Sequence, residues 1–479
     1  MALALSASGA GRSCADCHQK EVESYRQTPM AHSLSETADQ PGGTFEHALS
    51  KTRFSIRSTP AGMFQSLERD GKKSDQRVAY VIGSGAHAFG YLVQNSDYLF
   101  QSPLSYYTTR RVWDLAPGYE QSRHPDFSRP VTPECLLCHS GKAQPVADTL
   151  NRYQAPPIPV EGISCERCHG PGEAHAQKPE PGSILNPAKL RGAARDSICE
   201  QCHLAGEVRI PNPGKKIADF QPGQTLEDAY TVYLAAQPDG NALKVVSHSE
   251  QLALSVCARK SGGGLWCGSC HDPHDLPANS ASYFRERCLN CHAATLAKSH
   301  AEPGRDCVAC HMPRLAARDG GHTVFTDHRI ARGPEQRNEL HQTADLAAWR
   351  EPEPRLRQRN LALALVTAGL QNSSSQQVIR GYRMLNRVEK EYPDDPDVLT
   401  SLGNVLLRGK QPAEALRRFE KVLAMRPAYA PYEVNVASAL IAAGNKVEAR
   451  RHLQRALQLD PLLQQAVELL SLLGSAPPE

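Results

Sequence analysis

The chain has 479 residues, enough for two or three domains, with 40% apolar residues, few aromatics and a formal net charge of +3. That balance carries no basic surplus of the kind nucleic acid requires, and no apolar run approaches the length of a membrane-spanning helix. The unusual part of the composition is its 15 cysteines and 19 histidines.

Residues 1–11 lack a charged start but end in small residues, so they read as the clipped tail of an export signal or as a disordered start. Residues 12–38 contain Cys14-Ala-Asp-Cys17-His18, a short helix expected over 20–27, and then Met30 and His32. Over 44–113 the pattern changes to alternating β-branched and aromatic segments at 52–57, 63–69, 78–82, 91–94 and 98–101, broken by Gly, Asp and Asn. This predicts a small antiparallel β insertion, free of cysteine but carrying His47 and His87. Residues 114–213 are rich in Pro and Gly and hold His124, Cys135/Cys138/His139, Cys165/Cys168/His169, His175 and Cys199/Cys202/His203. Residues 217–260 suggest a loop and two short helices, the first capped by Thr225-x-x-Asp228. The stretch 266–313 then packs three more units together: Cys267/Cys270/His271, Cys288/Cys291/His292 and Cys307/Cys310/His311. His322 and His328 follow, and 331–354 reads as a charged, Pro-containing linker.

Cysteine stops recurring beyond Arg355 and helical periodicity takes over. Pro393, Pro427 and Pro461 are 34 residues apart, as are Ala415 and Ala449, Phe419 and Leu453, and Leu423 and Leu457. That period is the signature of tetratricopeptide repeats, predicting an all-α solenoid over 355–479 with helices near 356–370, 374–391, 396–409, 412–425, 430–443, 446–459 and 462–473.

In a Cys-x-x-Cys-His unit the two thiols add across the vinyl groups of a haem, and the adjoining His is delivered to one face of the iron. Seven units use fourteen of the fifteen cysteines. Zinc would join such pairs two by two, which seven cannot satisfy, and disulfides would not need a His after every second Cys. The sequence therefore predicts seven covalently bound haem c groups, with His18, His139, His169, His203, His271, His292 and His311 as proximal ligands. The expected fold is mixed: a haem-nucleated, loop-rich cytochrome domain over 12–330 with its β insertion, followed by the solenoid. Haem of this class is attached outside the cytoplasm, which implies a periplasmic or extracellular protein.

A second axial His suits an iron to electron transfer, whereas an open position lets it bind a small molecule. His47, His87, His175, His274, His300, His322 and His328 are the first candidates for the distal positions, with His248, His124, His32 and Met30 in reserve. Gly83 and Gly85 before His87 let backbone approach a flat ring. His341 and His452 read as unrelated to iron, and Cys257 as a buried free thiol.

Cys165-Glu-Arg-Cys168-His169-Gly-Pro-Gly-Glu-Ala-His175 and Cys267-Gly-Ser-Cys270-His271-Asp-Pro-His274 resemble motifs of the cytochrome c-554 type of multihaem cytochrome. The resemblance spans about 14–328, with the repeats over 355–473. It implies closely packed haem pairs, mostly bis-histidine ligation and electron shuttling, and it allows one five-coordinate haem. It implies His175 and His274 as distal ligands. The seven units here exceed the four of the name-giving cytochrome, so the other pairings do not transfer.

The leading expectation is thus an electron carrier that meets redox partner proteins, with the repeats as a docking or assembly module and no catalytic residue assigned. Two alternatives are a subunit of an extracellular conductive filament, joined through the haem-domain ends or the repeats, and a reductase of a small nitrogen or sulfur oxyanion. Residues 355–479 contain 17 Lys+Arg and 12 Asp+Glu, or +5, leaving −2 for the remainder. This polarity favours charged docking or self-association.

Overall fold

The apolar alternation after Gly43 becomes an antiparallel meander of Gly43–His47, Thr52–Thr59, Gly62–Arg69, Lys72–Ile82, Ala88–Asn95, Tyr98–Tyr107 and Val112–Leu115. Leu34–Ser35 adds to Lys72–Ile82 and Arg129–Pro130 to Tyr98–Tyr107, giving nine strands. In this computed structural model, residues 13–36, 39–235, 243–299, 306–331 and 345–474 are described, the side chains of 294–299 excepted. Asp70 and Gly71 turn one hairpin with φ of 52° and 71°, the left-handed pair that a two-residue turn matched to strand twist requires. The sheet curls until its ends approach: a Cβ on Gly43 would lie 2.9 Å from the Trp113 ring, and Trp113 Nε1 donates to the Pro41 carbonyl at 2.8 Å.

The sheet is larger than the five expected segments. Polar stretches such as Lys72-Lys-Ser-Asp-Gln-Arg77 give no apolar signal and become strand because a neighbour offers a complete ladder. One face buries Phe54, Ile56, Met63, Leu67, Val78, Val81, Tyr91 and Leu104. On the other, Leu34, Tyr80, Leu92 and Leu99 pack with Val131, Leu136, Tyr153 and Ile158. Leu136 lies between Cys135 and Cys138, so this second core seats the second haem motif on the sheet.

The segment after 217 departs from expectation. The Thr225 box forms, with Thr225 N and Oγ1 donating to Asp228 Oδ2 at 2.8 and 3.0 Å, but it opens only the short 3-10 turn Leu226–Asp228. A strand, Tyr230–Ala235, follows, and the helices His248–Leu254 and Val256–Lys260 come after it. Tyr-Thr-Val-Tyr-Leu carries ordinary β-forming chemistry that the capping signal overshadowed. This strand pairs with Val208–Pro211 on one side and Leu346–Ala348 on the other. The end of the presumed linker is therefore a strand.

Seven helices, Arg357–Gln371, Ser375–Glu391, Pro396–Arg408, Pro412–Met425, Ala430–Ala442, Lys446–Leu459 and Gln464–Leu472, follow the 34-residue pattern within about two residues. Their close stacking depends on small residues: a Cβ on Gly403 would sit 2.3 Å from the Phe419 ring. The stack is bonded to the three-stranded sheet. Arg359, with 0% of its side chain exposed, donates to Asp395 and to the Pro211 carbonyl, each at 2.7 Å. Asn360 Nδ2 donates to Thr231 Oγ1 at 3.0 Å.

Candidate functional site

Each Cys-x-x-Cys-His motif is helical: five lie on short helical turns, the fourth ends the helix Gly192–His203 and the sixth lies within the helix Ser280–Ser299. The His18, His169 and His271 amides donate to the carbonyls of Cys14, Cys165 and Cys267 at 2.8, 2.9 and 2.9 Å. Residues three apart in such a turn share a face, so both thiols point the same way with the imidazole beside them. All fifteen cysteines are free thiols. Those of different motifs lie near enough to influence each other: Cys14 and Cys165, Cys138 and Cys202, Cys199 and Cys267, and Cys288 and Cys307. Folding thus draws separate motifs into adjacency.

The fourteen motif thiols differ in exposure, which their sequence does not show. Cys17, Cys135, Cys291 and Cys310 are exposed, whereas the other ten are partly buried. The difference matters most in the sixth and seventh motifs, which approach each other through Cys288 and Cys307 and leave their second thiols, Cys291 and Cys310, open to solvent. The physical reason is thin packing: neither the described side chains of the helix Ser280–Ser299 nor those of Cys307–His311 include a buried residue. Among the described residues, side chains of the polypeptide therefore do not enclose Cys291 and Cys310.

The imidazoles are arranged in facing pairs. The ring centroids of His18 and His175 are 6.4 Å apart, those of His169 and His274 5.9 Å, and those of His271 and His328 6.2 Å. A metal held between two opposed imidazoles, with bonds of about 2 Å, separates ring centroids by roughly 6 Å. In several of these rings Nδ1 is engaged: His169 donates to the Leu185 carbonyl at 2.9 Å, His328 to the Thr326 carbonyl at 2.9 Å, and His175 Nδ1 meets Ser183 Oγ at 2.7 Å. That leaves Nε2 of these rings outside those bonds, the nitrogen a ligating imidazole would use.

A further cluster surrounds His203. His248 lies 5.3 Å from it and 5.0 Å from His328, with Phe325 wedged beside His248 and His87 at 6.2 and 4.2 Å. His87 Nδ1 and His248 Nδ1 are buried without a hydrogen-bond partner. Burial, reinforced by the neighbouring histidines, depresses His248 to about 3, so its imidazole is neutral and its lone pair free. Burial also lowers His203 and His271 below the ordinary imidazole range. Neighbouring thiols, opposed imidazoles and unsatisfied ring nitrogens together fit covalently held haem.

The other expected ligands are placed differently. His322 has both ring nitrogens occupied, Nε2 by Asp114 Oδ2 at 2.6 Å and Nδ1 by Arg110 at 2.9 Å, which leaves no lone pair for iron in this arrangement. His47 Nδ1 meets Ser50 Oγ at 2.8 Å at the first hairpin. His32 Nε2 donates to the Arg26 carbonyl at 2.6 Å, and the Met30 carbonyl accepts from Ile163 N at 3.0 Å. His124 is exposed. His452 Nδ1 bonds Glu433 at 2.6 Å within the repeats. His311 donates from Nδ1 to the Ala331 carbonyl at 2.9 Å, and exposed His292 lies on the helix Ser280–Ser299 beside Cys291. Cys257 lies half-buried on the helix Val256–Lys260. His300 and His341, with residues 1–12, fall outside the described residues.

One set of supporting residues had no sequence signal. Arg350 bonds Glu200 at 2.5 and 3.1 Å, Glu227 at 3.0 Å and Ser197 Oγ at 2.9 Å, and Trp349 Nε1 adds a 3.0 Å bond to Glu200. Glu200 lies between Cys199 and Cys202 on the helix Gly192–His203. The segment leading to the repeats therefore clamps the fourth haem motif. Charged residues in a presumed linker gave no hint of this.

Comparison with known proteins gives the same two parts. The family described as cytochrome c554 and c-prime matches residues 116–170, and the tetratricopeptide repeat family matches residues 406–473. The multiheme cytochrome MtrA of Shewanella baltica is 26% identical over 187 residues, covering 35% of this chain and 54% of that protein. The dissimilatory sulfite reductase MccA of Wolinella succinogenes is 26% identical over 193 residues, covering 32% of this chain and 22% of that protein. The matched region thus spans about half the length of the first relative and about a fifth of the second. Among solved structures, the outer cell wall cytochrome OcwA aligns over 95% of this chain and 98% of its own, at 15% identity and a TM-score of 0.43. The repeat protein YrrB aligns over 23% of this chain and 56% of its own, at 20% identity and a TM-score of 0.22. This chain therefore resembles multihaem cytochromes, with a match to the cytochrome c554 family over 116–170 and a tetratricopeptide match over 406–473.

Proposed function

We propose that this chain is an exported heptahaem cytochrome that carries electrons between protein partners, with its repeats serving as a docking element. Haem, when bound, supplies a one-electron iron centre whose potential follows its axial ligands, burial and hydrogen bonds. The protein contributes placement and tuning. The opposed imidazole pairs carry this reading, since two ligands per iron favour electron transfer over small-molecule binding.

In this assignment His18 is paired with His175, His169 with His274 and His271 with His328, while His248 faces His203 and His87 stands beside it. The Nδ1 bonds of His169, His175 and His328 hold the rings in orientation. The nearness of thiols in different motifs supports close spacing of the seven groups, and Leu136 and the Arg350 clamp fix the second and fourth motifs against sheet and helix. The loop-rich parts would then be organised around haem.

Mass spectrometry of protein made in a host competent in haem ligation tests the count: the expected result is the chain plus seven haem additions. Six or fewer overturns it. Low-spin spectra that do not change with cyanide or nitrite support electron transfer, and a high-spin, ligand-binding species of comparable amount to one haem overturns it as the sole activity.

A further inference from the structure

The second helices of the repeats carry a feature beyond the packing pattern. Arg383, Arg417 and Arg451 recur at intervals of 34 residues, and Arg387, Lys421 and Arg455 recur one helical turn later at the same interval. All six side chains are exposed. They lie on the helices Ser375–Glu391, Pro412–Met425 and Lys446–Leu459, away from the buried residues Leu385, Val388, Phe419, Val422, Leu453 and Ala456 that turn inward. Stacking three repeats therefore turns a sequence period into a ladder of cations across one face.

The solenoid's opposite side is committed to the rest of the chain. The helix Arg357–Gln371 is bonded to the strands through Arg359 and Asn360, and Arg426 bonds Asp148. Among the described residues, the cationic face is bonded to the rest of the chain at its edge, where Arg380 pairs with Asp345 at 2.5 Å, and the ladder residues themselves make no such bond. Arg417, Lys421 and Arg451 have carboxylates nearby, Glu414, Asp394 and Glu448, but among the described residues Arg383 and Arg387 have none. Those two border a groove of about 660 Å³ on Ser375–Glu391 that also contains Met384 and Ile379, the latter 51% exposed. At the matching position two repeats later, Val447 is 69% exposed. Arginines around exposed aliphatic and Met side chains are the composition of a protein interface. A membrane-surface face would instead carry Trp, Phe or Leu opposite its cations.

We infer that this outer face is a docking surface for an acidic protein partner, which places carboxylates along the ladder and an apolar side chain in the Ile379 groove. The inference rests on the repeats being a docking element and specifies which face docks and to what chemistry. The test uses the full haem-loaded chain and a fluorescent poly-glutamate peptide, with phosphatidylglycerol vesicles as the competing surface. Binding at low salt should weaken as salt rises and fall by roughly tenfold in Arg383→Glu with Arg387→Glu. It should survive in Arg408→Glu with Lys446→Glu, an equal charge change at exposed positions off the ladder. Equal loss in both variants overturns the ladder while leaving a docking role for the repeats. No peptide binding to the unsubstituted chain, or vesicle binding through the same arginines without peptide binding, overturns the acidic-partner inference. An unchanged haem count and visible spectrum in each variant keeps this result separate from the electron-transfer reading.

Discussion

Arg350→Met removes the cation that neutralises Glu200 while retaining much of the side chain's volume. Glu200 is 4% exposed, and burial already pushes its carboxyl above the ordinary range against the opposing pull of Arg350. Without Arg350, the carboxylate keeps the Trp349 indole N–H as a donor but lacks a counter-charge. Its penalty is bounded by the alternative of taking up a proton: from an ordinary Glu pKa near 4.3, that costs about 3.7 kcal/mol at pH 7 and about 1 kcal/mol at pH 5. The range of about 3–5 kcal/mol for breaking a buried pair is similar. The pH sign follows. A carboxyl with a raised folded-state pKa is stabilising in its protonated form and loses that contribution as pH rises through the folded pKa, so the variant should be weakest at neutral pH and recover on acidification. Thermal melting by far-UV circular dichroism should show a midpoint drop of roughly 6–12 °C at pH 7, shrinking to a few degrees at pH 5. Because Glu200 sits between Cys199 and Cys202, the spectrum attributable to one haem should change as well. An unchanged midpoint at pH 7, or an equal drop at both pH values, would refute the reasoning.

His274→Ala should convert one haem towards high spin, visible in the electron paramagnetic resonance spectrum, and an unaltered spectrum removes His274 from the ligand set. His322→Ala should leave all haems low-spin, since its nitrogens are bonded to Asp114 and Arg110; a new high-spin signal would contradict that arrangement. Gly403→Ala brings a methyl against Phe419 and should lower repeat stability by about 1–3 kcal/mol in urea unfolding, whereas a neutral result would show that the ring can move aside. Leu99→Ala, at a fully buried position, should cost about 2–5 kcal/mol in the same assay; a loss below 1 kcal/mol would mean the sheet's second core is not closely packed.

Features encoded over short stretches were legible in the sequence. A Cys-x-x-Cys-His unit fits within one helical turn, so its chemistry needs no distant residue, and a 34-residue repeat states its own helix boundaries through recurring Pro, Ala and Leu. The exposure of a motif's thiols was not legible, because it depends on what packs over the turn: Cys291 and Cys310 are open while Cys138 and Cys202 lie near each other. The central sheet was only partly legible, because strands such as Lys72–Ile82 take their hydrogen bonds from neighbours and show little apolar pattern in their first half. The strand Tyr230–Ala235 was missed because a local cap was given more weight than its β-forming residues.

The amino-acid order alone determined where the Cys-x-x-Cys-His units stand, and that helical repeats follow them. Only the tertiary structure decided which imidazole faces which: His18 meets His175 and His271 meets His328 across long loops, while His248, held in reserve on sequence grounds, lies beside His203. It likewise decided that Arg350 belongs to the fourth motif. The physical reason is that attachment depends on covalent neighbours, whereas a second axial ligand or a buried counter-charge depends on chain segments brought together by packing, and sequence spacing does not report that proximity.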